Sequence, residues 1–342
     1  MRLGLRLSAA VPAVVPAVGF AVLVGALLVA ASGADPIDAY RQIVVGALAW
    51  RNLPNTLNWA VPLAGMALVA AIPLRGGMVN LGGDGQLVVG GLTAALSALY
   101  LPLPAALLTV AAIALAMLAA GLYAALAAWG ETRHGIPMLI SSLLLSYPAI
   151  GLASYLVGFP LRDHGSGLPQ TVMIPHGARL PLLGAGLNAG AVLILVVAVA
   201  AVVFDRHSVA GYELRLRGLN ARFARYGGVG LGGQAVRTLF ASGAIAGLVG
   251  AIVVLGAQFR FTDGALLSPG YTWSGLMAAL LAGGEPAGTL AGAVFFAALQ
   301  SGGFAMQRET AVPRVLTMVL QAVIILFLAA RHGLRRHRQA GS

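Results

Sequence analysis

The chain has 342 residues, 59% of them hydrophobic and 9% charged, with a mean hydropathy of +0.90. A soluble domain carries about 25% charged residues, so the composition defines an integral membrane protein. All 21 basic residues are arginines and cysteine is absent, which excludes a G-x-x-x-x-G-K-[S/T] phosphate loop, disulfides, zinc-thiolate sites and iron-sulfur clusters.

In chain order, the first apolar run, 8–31, follows Arg2 and Arg6. It exceeds the about 7–15 apolar residues of a secretory signal, so it reads as an uncleaved first span with a cytoplasmic N-terminus. Residues 32–56, with Asp35, Asp38, Arg41 and Arg51, read as a polar external connector. Apolar runs of roughly span length follow near 57–74, 85–101, 104–128, 136–158, 187–204, 235–257, 271–284, 287–304 and 311–330. The pattern predicts an all-α polytopic fold of about ten transmembrane helices, a single transmembrane domain over 1–342 with its core at 57–330. Both termini, including the basic tail 331–342, then lie in the cytoplasm of a cell whose plasma or inner membrane holds the chain. This topology places 14 arginines inside and seven outside, the asymmetry that insertion favours. The net charge of +11 therefore reports orientation in the lipid bilayer rather than nucleic-acid binding. The run 271–284 is too short for a straight crossing and reads as broken or re-entrant.

Two loops stand out. The external one, 160–186, contains Arg162, Asp163, His164, Arg179 and several prolines, a composition for an ordered cover. The internal one, 205–233, holds a basic amphipathic stretch with Glu213, Arg215, Arg217, Asn220, Arg222 and Arg225, read as a short cytoplasmic helix. No G-x-S-x-G or H-E-x-x-H motif occurs, and the six histidines never fall at metal-ligand spacing. Catalysis and a metal site are therefore not expected. A literal G-x-G-x-x-G at Gly228, Gly230 and Gly233 lacks the strand-turn-helix context of a nucleotide site.

The stretch Arg75-Gly76-Gly77-Met78-Val79-Asn80-Leu81-Gly82-Gly83-Asp84-Gly85-Gln86 carries too many glycines for a helix interior, each costing about 1 kcal/mol relative to alanine. Broken backbone at membrane depth is tolerated where it lines a wet cavity, so Asn80, Asp84 and Gln86 are candidate pathway residues. The alternative is a boundary turn whose polar groups meet water. A second interruption, Ser268-Pro269-Gly270-Tyr271-Thr272-Trp273-Ser274-Gly275, comes late in the chain. Paired interruptions point to a central transport site. Tyr271 and Trp273 can stack on a planar substrate or act as interfacial anchors, and Ser274 lies beside them. Ser141, Ser142, Ser146 and Tyr147 share one apolar span; they face the pathway, or the serines bond neighbouring backbone. Gly243, Gly247 and Gly250, and Gly288 with Gly292, have small-xxx-small packing spacing.

Three pieces carry a family resemblance. Gly77-Met78-Val79-Asn80-Leu81-Gly82-Gly83-Asp84-Gly85-Gln86 is similar to Gly-x-x-Asn-Leu-Gly-x-Glu-Gly-Gln. Arg217-Gly218-Leu219-Asn220-Ala221 with Ala224-Arg225-Tyr226-Gly227 is similar to Gly-x-Asn-x-x-Ala-x-x-x-Gly, and Ser242-Gly243-Ala244-Ile245-Ala246-Gly247-Leu248-Val249-Gly250 is the third piece. The chain resembles, over about 55–330, the permeases of ATP-binding-cassette importers for simple sugars, nucleosides and branched-chain amino acids. The external stretches Phe159-Pro160-Leu161-Arg162-Asp163 and Gly167-Leu168-Pro169-Gln170-Thr171 look most like the nucleoside-type branch.

The resemblance implies a permease subunit with no cofactor of its own. It implies a second permease, identical or similar, two cytoplasmic ATPases that bind ATP and magnesium, and an external substrate-binding lipoprotein. It also implies that Arg215, Arg217, Gly218, Leu219, Asn220, Ala224, Arg225, Tyr226 and Gly227 couple the chain to the ATPase. Asp84 replaces the family's usual Glu, Ser146-Tyr147-Pro148 replaces Leu-Asn-Tyr, and Ser274 replaces a common Asp, so cargo preference transfers least securely. Alternatives are sugar or branched-chain amino acid import, or an ion-coupled carrier, although such a carrier needs carboxylates in span centres and only Asp84, at an edge, comes near one.

Overall fold

The computed structural model describes residues 7–31, 33–184, 186–310, 312–313 and 315–323. The tail 331–342, with Arg2 and Arg6, lies outside the described residues. Helices α1 (Leu7–Ala31), α2 (Pro36–Leu48), α3 (Leu53–Arg75), α4 (Gly83–Tyr100), α5 (Ala105–His134) and α6 (Met138–Gly158) precede a long loop. After it come α7 (Gly190–His207), α8 (Val209–Leu219), α9 (Ala221–Tyr226), α10 (Leu231–Val253), α11 (Tyr271–Leu281) and α12 (Pro286–Thr310), and 315–323 is again helical. A π turn, Val254–Gln258, prolongs α10. The expected all-α fold is modified by one small antiparallel pair, β1 (Leu182–Gly184) and β2 (Leu187–Asn188).

Among the described residues, six helices are long and apolar enough to cross a bilayer: α3, α5, α6, α7, α10 with its π turn, and α12. The chain is therefore a multi-pass membrane protein. The expected spans at 85–101 and 271–284 are α4, whose first turn holds Asp84 and Gln86, and α11, whose 11 residues rise only about 16 Å. That is half of the ~30 Å hydrocarbon core, so α11 cannot cross alone.

By internal contacts the chain divides into two compact units, 1–59 with 295–342, and 60–294. In the first, the expected polar connector turns out to contain α2. Asp35 accepts a hydrogen bond from the Ile37 amide at 2.9 Å and Pro36 occupies the first turn, an N-terminal signal that favours helix. Its buried Ala39, Ile43, Gly46 and Ala47 form one face, and Gly46 meets Gly302 and Ala305 of α12 with no room for a larger side chain. Thr56 Oγ1 donates to the Ala47 carbonyl at 2.7 Å, which fixes the turn into α3.

In the second unit α10 is the hub, 83% buried in its apolar window against 28% for α6 and α7. Ala112, Ala116, Ala120, Ala124 and Ala128 of α5, four residues apart, are fully or almost fully buried. Small side chains at that spacing let backbones approach. A Cβ on Gly243 or Gly247 would strike α5 carbonyls, and one on Gly250 would strike α4 at Leu87 and Gly91. The packing role read from those glycines is what the structure contains.

The loop after α6 packs against the end of α10. The Thr171 and Ile174 amides donate to the Phe261 and Phe259 carbonyls at 2.9 and 2.8 Å, and the Leu180 amide to Leu255 at 3.0 Å. Arg179 lies 4.7 Å over the Phe259 ring, and Phe259 has a left-handed φ of 56°. The loop thus straps the end of α10.

Candidate functional site

The helix α3 stops where the glycines begin. Met78 donates to the Pro73 carbonyl at 3.0 Å and Gly77 to Leu74 at 3.0 Å, with Gly77 at φ 70°; this is a Schellman cap, which requires a left-handed residue. The chain then runs without helix from Gly76 to Gly82 before α4 begins, so the first interruption is real.

Asn80, 4% exposed, organises it. Its Nδ2 donates to Gln86 Oε1 at 3.0 Å and to Ser242 Oγ at 2.9 Å, and its Oδ1 accepts from the Gly82 amide and Gln86 Nε2, both at 3.0 Å. Ser242 passes its own proton to the Val69 carbonyl at 2.6 Å. From α6, Ser142 Oγ accepts the Leu81 amide at 3.1 Å and Ser146 Oγ the Gly85 amide at 3.3 Å. Two donors and two acceptor positions exhaust an asparagine side chain, so Asn80 is a brace with nothing left for a ligand in this conformation.

The structure therefore brings Asn80, Gln86, Ser142 and Ser146 together. Tyr147 is not among them: 65% exposed, it points to the opposite face of α6 from the buried serines. Ser242 joins this cluster through Asn80, which the family motif that contains it does not announce. Its signal was present, since it is the one polar side chain between Leu239 and Val253.

The second interruption meets the first. Between Phe259 and Gly270 the chain is irregular, and α11 starts with its first turn against α4. A Cβ on Gly83 would strike Thr272 Cγ2 and Met66 Cε, and the Asp84 side chain lies beside Thr272 and Trp273. Met66, Val69, Asn80, Leu81, Thr272 and Trp273 line a small cleft there. Trp273 is 47% exposed at its edge, Tyr271 is half-buried beside it, and Ser274 faces inward and is buried. Gly275 packs on the α3 backbone at Met66 and Ala67. After α11, Gly283 and Gly284 take φ of 61° and 75°, and Gly284 returns the chain to the Arg75 end of α3.

The expected single cytoplasmic helix is two. Asn220 ends α8 and caps α9, its Oδ1 accepting the Phe223 amide at 3.0 Å. Arg217 Nη1 donates to the Leu231 carbonyl at 2.7 Å; burial pushes its guanidinium below the ordinary arginine range while Glu131 pulls it back. Ala224 is fully buried, whereas Leu219 and Tyr226 are 82% and 91% exposed, with Arg225 and Gly227 also exposed. Gly218 sits on the first interruption: a Cβ there would strike the Arg75 carbonyl. Asp205, at the end of α7 with its side chain 7% exposed, receives Arg75 Nε at 2.9 Å and Nη2 at 3.1 Å, and Arg215 Nη1 at 3.5 Å. One carboxylate thus joins α7, α8 and the start of the break. Among the described residues no cluster of three or more His, Cys, Asp or Glu could hold a metal.

Membrane-spanning helices, two facing interruptions and a polar helical hairpin packed against the end of α3 form an arrangement that suits a membrane permease. Residues 52–329 match the family described as branched-chain amino acid transport system / permease component, and the chain belongs to that family. It is 30% identical to a glucose ABC transporter permease protein of Haloferax volcanii, over 93% of this chain and 87% of that one. It is 29% identical to a guanosine ABC transporter permease protein of Bacillus subtilis, over 91% and 90% of the two chains. A nucleoside ABC transporter permease protein of Lactococcus lactis subsp. cremoris is 25% identical over 92% and 89%.

Proposed function

We propose that this chain is the translocation subunit of an ATP-driven importer for a nucleoside or a related small polar solute. ATP and magnesium are bound by separate ATPase subunits, a second permease completes the pathway, and an external lipoprotein delivers the cargo. The α8–α9 end and both termini face the cytoplasm. On this reading α1, α4, the irregular segment with α11, and the last apolar run add to the six independent spans, giving about ten crossings.

The observation that carries the proposal is Gly218 seated on the Arg75 carbonyl. A helix pushed from the cytoplasmic side through the exposed Leu219 and Tyr226 has no compressible layer between it and the interruption. Replacing Gly218 with Ala should lower ATP-driven uptake in proteoliposomes by roughly tenfold or more, about 1.4 kcal/mol of coupling, while the complex assembles and hydrolyses ATP. Unchanged uptake would remove the coupling assignment.

For the cargo, Trp273 offers an aromatic face at the cleft and Asp84 an acceptor beside it, which suits a planar base carrying N–H or ribose O–H donors. The guanosine and nucleoside relatives support this; the glucose relative supports a sugar, for which the same pair could stack a ring face and bind hydroxyls. Competition of labelled guanosine uptake by unlabelled nucleosides, but not by glucose, is the expected result.

A further inference from the structure

The G-x-G-x-x-G at Gly228, Gly230 and Gly233 belongs to no part of the transport machinery described above, yet Gly230 and Gly233 border a sizeable groove. A groove of about 640 Å³ runs between α7 and α10, closed at one end by α8. Its far part is apolar, walled by Val197, Ala200, Ala241 and Ile245. Its near part, at the end that carries α8, is polar, with Gly230, Gly233, Gln234, Arg237 and Glu213. The polarity therefore grades along the helices from hydrocarbon depth to the membrane boundary.

Three features single out this groove as a binding surface. Between Ala235 and Val253 of the otherwise buried α10, Arg237 and Ala241 are the two exposed positions, one turn apart, and both line the groove. Gln234 has both amide atoms buried with no hydrogen-bond partner, a costly state for a side chain that can donate and accept. The first turn of α10, whose Gly233 lines the polar end, has no side-chain cap, which leaves N-terminal amide groups there without a side-chain acceptor.

We propose that this groove holds one phospholipid of the leaflet at the α8 end, an acyl chain lying along Val197, Ala241 and Ile245 and the phosphate held by Arg237, Gln234 and the first turn of α10. An anionic oxygen at a helix N-terminus beside an arginine is a favourable arrangement, and basic pockets between membrane helices take lipid headgroups. Glu213, on the other wall, selects a headgroup that carries an amine. The ATPase is not the occupant: α8 turns Ala210, Glu213 and Leu214 to the groove, while Val209, Tyr212 and Leu219 are exposed on its opposite face. The proposal requires a membrane boundary at the α8 end, whatever the cargo or the direction of transport.

The test is to purify the full chain in mild detergent, wash it extensively, and identify retained lipid by native mass spectrometry. Reloading from vesicles of phosphatidylethanolamine and phosphatidylglycerol in equal parts follows. One phosphatidylethanolamine per chain is expected. Arg237→Ala should lower occupancy about tenfold, and Ala241→Trp, which fills the apolar part and leaves the polar end intact, should exclude the lipid while the protein stays monodisperse. Glu213→Gln should remove the preference for the amine headgroup. Absence of retained phospholipid, or equal retention in the Arg237 and Ala241 variants, would overturn the site. Equal retention of both lipids by the native chain would overturn the role of Glu213.

Discussion

The two interruptions face each other but are built in opposite ways. At the first, the buried polar side chains are paired: Asn80 is saturated, and Ser142 and Ser146 of α6 hold the Leu81 and Gly85 amides. At the second, the Thr272 hydroxyl is buried without a partner, Trp273 is half exposed, and glycines at positive φ flank the helix at Gly270 and Gly283. Their tethers to α7 differ in the same sense. Asp205 is buried and grips Arg75 through two hydrogen bonds, while its neighbour Arg206 reaches Glu285 once, at 3.2 Å, with side chains 45% and 34% exposed. One interruption is a strut that carries force from α8; the other has the freedom and the unfilled bonding capacity to meet cargo.

The strongest way to break this comparison is Asn80→Leu. It leaves the Gly82 amide and both ends of the Gln86 amide without partners in a buried layer, and each such group costs about 1–3 kcal/mol. A destabilisation of about 2–4 kcal/mol is expected, read as a lowered unfolding midpoint of the purified protein. An unchanged midpoint would mean that Asn80 is not a brace. Asp205→Asn comes next. It deprives two arginines of their carboxylate, a change that costs 3–5 kcal/mol in a fully buried pair. Because Arg75 and Arg215 are 27% and 28% exposed, about 1–3 kcal/mol is the expectation after solvent screening. Restoration by Asp205→Glu, and not by refolding conditions, would show that the charge itself is what matters.

Trp273→Ala sharpens the other side of the comparison. A stacked base is worth about 1–3 kcal/mol, so the uptake KM should rise roughly 5-fold to 150-fold. The unfolding midpoint should barely move, because the indole is already half exposed. If the midpoint falls as far as for Asn80→Leu while KM is unchanged, Trp273 is a packing residue and the second interruption is no more a cargo surface than the first.

How much of this was legible in the sequence depended on the kind of signal. The glycines of 76–85 announced a broken helix because their cost is local, and Gly243, Gly247 and Gly250 announced close packing because small-residue spacing maps directly onto one helix face. Residues 36–48 were read as connector since Asp38 and Arg41 hid the apolar face of Ala39, Ile43 and Gly46, although Asp35-Pro36 is a helix-start signal. Ser142 and Tyr147 were grouped by proximity in sequence, but five residues along a helix turn the chain by about 140°, away from the shared face. That Ser242 pairs with Asn80, 162 residues earlier, has no local trace at all; only its isolation in an apolar span hinted that it must find a partner. The second interruption was visible as a short run, yet its meeting with α4 depends on tertiary packing that spacing does not encode.

The smallest effect is expected at Arg206→Ala, and its size decides whether the two tethers truly differ. Exposed ion pairs contribute about 0–1 kcal/mol. Glu285 moreover keeps a second role without Arg206, since its Oε2 accepts the Gly288 amide at 2.7 Å and so caps the first turn of α12. Loss of such a cap costs about 0.5–2 kcal/mol, so Glu285→Ala should destabilise more than Arg206→Ala, and a double-mutant cycle should return a coupling below about 1 kcal/mol. ATP-driven uptake by Arg206→Ala should stay close to that of the native chain. A coupling as large as the loss at Asp205→Asn, or an equal fall in uptake, would show that the second interruption is anchored as firmly as the first, and the division between strut and cargo surface would have to be abandoned.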